Sequence, residues 1–107
     1  MSNIRQELLK KYDGIICGLE NQITTCENEK RPLVNEYRLL TQILAYRSVE
    51  FTEEEKNVLE NDLEAMKDLL DGLDVELHNL LVAKSSYLKT SNLIEKEESE
   101  FQLQAAK

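Results

Sequence analysis

Leu59, Leu63, Met66, Leu70, Leu73, Leu77 and Leu80 follow one another at alternating steps of four and three residues, the stripe of a helix that lies along another helix. A second stripe with the same period runs from Leu9 through Tyr12, Ile16, Leu19, Ile23, Cys26, Lys30, Leu33, Tyr37 and Leu40 to Leu44. Each stripe, or seam, needs an apolar partner, and the nearest one is the other. Between them Ser48-Val-Glu-Phe-Thr52 breaks the period. Thr52 with Glu55 then carries the capping-box pattern of a helix start, a hydroxyl for the amide three residues on and a carboxylate reaching back. The pattern predicts an all-α fold: a long antiparallel, coiled-coil-like helical hairpin in one domain. Its expected parts are a first helix over about 3–47, a turn at 48–52 and a second helix over about 53–89. With that turn, Leu44 faces Leu59, Leu40 faces Leu63, Tyr37 faces Met66 and Leu33 faces Leu70.

Four places test the continuity of these helices. Ser2 or Asn3 can cap the first one. Pro32 removes a backbone donor and crowds the preceding turn, yet the seam keeps step across it, so one helix bent near Pro32 is expected rather than two joined at 30–32. Gly14 and Gly18 weaken the first helix locally or admit another backbone, and Asp71-Gly72, elsewhere a turn signal, is stepped across by the second seam without a slip. Past Leu81 the seam positions become Lys84, Tyr87, Ser91, Ile94, Glu98 and Phe101, and half of them are polar. A break at Lys89–Asn92 and a short or frayed terminal helix over 92–105 are therefore expected, with the last residues from Ala105 fraying.

Composition agrees with helices. Three Gly and one Pro among 107 residues, beside 32% charged residues, leave few turns to build. The net charge of −8 is uneven. Residues 1–49 hold seven Lys/Arg and six Asp/Glu, residues 50–76 two against eleven, and residues 77–107 four against four. The acidic stretch should repel nucleic acid and anionic membranes, because the basic clusters that bind them are missing. Partners are expected to be proteins. With no long apolar run and two isolated cysteines, Cys17 and Cys26, a cytoplasmic or other reducing compartment is expected.

Catalytic chemistry is not signalled. His78 is the single histidine, and a metal site needs clustered ligands. Asp68, Asp71, Asp74 and Glu76 surround Gly72, but Lys67 stands where a calcium loop of the EF-hand type needs its first Asp. No catalytic or metal residue and no cofactor is assigned. Two surfaces remain. Leu8, Ile15, Ile43, Leu69, Leu81 and Leu88 form apolar shoulders beside the seams, wider than a two-helix hairpin requires. They suit a homodimer closing into a four-helix bundle, or another helical protein. The alternative in which the chain covers them itself requires folding at Pro32 and Gly72 into a compact four-helix monomer. Glu60, Glu64, Asp68 and Asp71 form an acidic ridge, which suits a small inhibitor or decoy occupying the basic, nucleic-acid-binding surface of a partner. A solvated outer face is the ordinary alternative.

Overall fold

The computed structural model describes residues 3–105, and the side chains of residues 3–97. Two long helices pack against each other as a hairpin: α1 covers Ile4–Tyr46 and α2 covers Glu53–Ala105. One turn of 3-10 helix, Ser48–Glu50, joins them. The chain divides into two compact units, each made from a stretch of α1 and a stretch of α2. Unit 1 is Met1–Ile23 with Asn79–Lys107, and unit 2 is Thr24–His78.

Local chemistry sets the ends. Asn3 caps α1, its Oδ1 accepting from the backbone N–H of Arg5 at 3.0 Å and of Gln6 at 3.4 Å, which satisfies two otherwise orphaned donors. Ser2, the other candidate cap, lies outside the described residues, as do Ala106 and Lys107 of the expected frayed end. At the turn the capping box is complete in both directions. Glu55 N–H donates to Thr52 Oγ1 at 3.1 Å, and Thr52 N–H donates to Glu55 Oε1 at 2.9 Å. Glu53, Glu54 and Glu55 fill the first turn of α2, where the helix dipole favours negative charge.

Both seams lie inward. In unit 1, Leu9, Tyr12 and Leu19 are half-buried and Ile16 and Ile23 buried. Tyr12 meets Tyr87 edge to face with ring centres 5.1 Å apart, and Lys84 Nζ pairs with Glu20 at 3.4 Å. In unit 2, Leu33, Tyr37, Leu40 and Leu44 of α1 and Leu59 through Leu77 of α2 are half-buried around Cys26, which is 3% exposed. The Cys26 thiol donates to the Leu73 carbonyl at 3.5 Å. Lys30, the polar member of its seam, is half-buried and pairs its ammonium with Asp74, as a long basic side chain does when it covers apolar surface and keeps its charge in water. Within each unit these pairs join the two antiparallel helices.

Three helix interiors differ from what local composition suggests. α1 passes through Pro32 as one helix, and α2 passes through Gly72; neither is a loop, so the compact four-helix monomer is not formed. The break expected at Lys89–Asn92, with a separate terminal helix over 92–105, is absent, because α2 continues to Ala105. Here Thr90 Oγ1 donates to the Ser86 carbonyl at 2.8 Å, so its hydroxyl is satisfied inside the helix rather than diverting the backbone. Ser91 is small enough to be buried on the seam. The side chains of Glu98 and Phe101, the last seam positions, lie outside the described residues.

Candidate functional site

Each seam divides its helix into two flanks, and contacts between the helices assign the flanks to sides. In an antiparallel pair the same heptad flank of both helices falls on one side. In unit 2, Lys30 reaches Asp74 on one side, and Cys26 meets Leu73 on the other. The Cys26 side carries Ile43 and Leu69 of the expected shoulders. The Lys30 side carries the acidic ridge: Glu60, Glu64 and Asp71 lie on that flank, Asp68 turns further outward, and all four are exposed. The two candidate surfaces of unit 2 therefore occupy opposite flanks.

Unit 1 splits the remaining shoulders. Leu8 and Ile15, both half-buried, lie on the side of the Tyr12–Tyr87 contact. Leu81 and Leu88, both exposed, lie on the side where Glu20 meets Lys84. The six shoulder residues thus do not form one face.

The Cys26 side of unit 2 holds more apolar surface than the shoulder residues alone. Leu39, Ile43 and Tyr46 step by four and three along α1, and Val58, Ala65 and Leu69 share a stripe of α2. Leu39 is 59% exposed, Tyr46 84%, Val58 60% and Leu69 59%, too open to count as core. Val49 projects from the turn. Phe51, Glu55, Val58 and Leu59 line an open hollow of about 270 Å³ at the start of α2. The spacing of Leu39, Ile43 and Tyr46 was available as a signal, but each residue stands off the seam and only Ile43 attracts notice when residues are counted against it.

Electrostatics separate the units. Unit 1 holds seven basic and seven acidic residues, and unit 2 six against fourteen, so the whole net charge of −8 belongs to unit 2. The Thr52 N–H, which donates to the Glu55 carboxylate, and the Thr52 hydroxyl beside it hold Glu55 below the usual carboxylate range. Asp74 raises Lys30 by hydrogen bond and charge. Burial raises the Cys26 thiol, with the charges of Glu76 and Glu29 adding to it.

On the Lys30 side, Glu27, Lys30, Arg31, Val34, Asn35 and Leu77 line an open groove of about 390 Å³. His78 is exposed, and no group of three or more His, Cys, Asp or Glu side chains gathers as a metal site among the described residues. No helix there is long and apolar enough to cross a membrane. Comparison with family models, with curated proteins and with solved structures finds no match.

Proposed function

We propose that this chain is a non-enzymatic helical interaction or assembly subunit that works through its apolar flanks. Its first partner is a second copy of itself, the two hairpins closing into a four-helix bundle in which α1 bends near Pro32 at the level of Gly72. The observation that supports this reading is the openness of the apolar surface: no described side chain is fully buried, while Leu81 and Leu88 of unit 1 stay exposed and Leu8 and Ile15 of the same unit are only half-buried. Apolar surface of that extent on both helices is what a bundle partner would cover. Unit 1, without net charge, is where a copy can approach without repulsion. Direct nucleic-acid or membrane binding is not part of the proposal.

Sedimentation at micromolar concentration tests it. The expected mass is about twice the 12.4 kDa of the chain, falling toward the monomer in Ile15→Asp or Leu88→Asp. A monomer at all concentrations would end the homodimer reading.

A second reading keeps the ridge as the working surface, since Glu60, Glu64, Asp68 and Asp71 are all exposed and could fill the basic, nucleic-acid-binding surface of a partner protein. Replacing all four by Gln or Asn would then abolish partner capture while helicity and mass stay unchanged.

A further inference from the structure

We infer that the flank of unit 2 formed by Leu39, Ile43, Tyr46, Val58 and Leu69 docks a basic amphipathic helix of another protein. The inference rests on the interaction reading above and names the partner for one flank. Two observations choose the occupant. The flank is apolar and open on both helices, with the hollow beside Phe51 and Val58 as a place for one large side chain. Its acidic residues stand within the apolar stripes: Glu36 one turn before Leu39, Asp62 between Val58 and Ala65, and Glu55 at the hollow.

Among the described residues Glu36 and Asp62 enter no ion pair, and the Glu55 carboxylate is held by Thr52. The charges of Glu36 and Asp62 are therefore free to meet cations on the borders of an apolar stripe. A helix with leucines on one face and Lys or Arg beside them satisfies both demands at once. A second copy does not, because its own unit 2 would bring the same net charge of −8 against this one. An anionic lipid surface or nucleic acid is repelled for the same reason.

The test uses the full chain and a synthetic three-heptad helical peptide with a leucine stripe bordered by Lys, followed by fluorescence anisotropy. A peptide with the same stripe bordered by Glu is the control. The Lys peptide is expected to bind and to weaken as salt rises, and the Glu peptide to fail. Leu39→Asp and Val58→Asp should each weaken binding roughly tenfold, the effect of losing one covered aliphatic side chain. Glu36→Gln with Asp62→Asn should weaken it and flatten the salt dependence. Both apolar positions are more than half exposed, so helicity should survive; Leu39→Ser and Val58→Ser provide milder versions.

Equal binding of the Glu peptide, or binding untouched by Leu39→Asp and Val58→Asp, would overturn the inference. So would loss of binding on neutralising Glu60, Glu64, Asp68 and Asp71 alone, which would seat the basic partner on the opposite flank. A fall in mass caused by Leu39→Asp would make a second copy the occupant and overturn it as well. Sedimentation of the same samples keeps the two proposals apart. A monomer that binds the Lys peptide retains this flank and loses the homodimer, and a dimer that ignores the peptide does the reverse.

Discussion

A hydroxyl and a carboxylate three residues apart decide where α2 begins. Thr52 and Glu55 exchange two hydrogen bonds, so Thr52→Ala should cost about 1 kcal/mol in thermal or denaturant melts through the lost cap. The same pair carries a pH dependence. Because the folded pKa of Glu55 is depressed, its share of stability is present above the ordinary carboxylate pKa and disappears as pH falls through the lowered folded value. Glu55→Gln should therefore flatten the acid limb of a melting-temperature series, and an acid limb unchanged by that substitution would remove the pair from the explanation. Lys30 runs the opposite way. Its pKa is raised by Asp74, so its contribution holds below the ordinary lysine pKa and is lost only as pH rises through the raised folded value.

At the scale of the helices, period outweighs local propensity. Proline deprives the Asn28 carbonyl of its usual partner, and α1 still continues, since Lys30 and Leu33 on either side are half-buried on the seam. Gly72 behaves likewise in α2. A Cβ built on it meets no heavy atom within 4 Å, so Gly72→Ala should stabilise the chain by about 1 kcal/mol, the difference in helix propensity. A lower melting temperature in that variant would mean that another backbone approaches there in the assembled protein. The hairpin and the place of its turn were readable because an apolar stripe of fixed period admits few alternatives. The missing break at Lys89–Asn92 misled because Thr, Ser and Asn compete with helices on average, whereas Thr90 satisfies itself on Ser86 and Ser91 falls on the seam. The candidate surfaces were harder to read. Shoulder residues were recognisable singly, but their sorting onto opposite sides depends on which flanks the antiparallel pairing brings together, as the Lys30–Asp74 and Cys26–Leu73 contacts do.

For the molecule as a whole, charge divides the work. A neutral unit and one of −8 present different demands to anything that approaches, and the proposed copy and the proposed basic helix each meet one of them. The two cysteines make a different quantity measurable. Cys17 is exposed, while Cys26 is buried with its thiol on the Leu73 carbonyl and its pKa raised. A thiol reagent added to the intact protein should modify Cys17 at once. Cys26 should wait, both because its thiolate is scarce and because the reagent reaches it only when the helices of unit 2 part. The ratio of the two rates, corrected for thiolate fraction by a pH series, converts to the free energy of that parting, and equal corrected rates would mean that unit 2 stands open. The chain thus carries a built-in clock for the opening of the surface on which its proposed partner docks, and that partner should slow it.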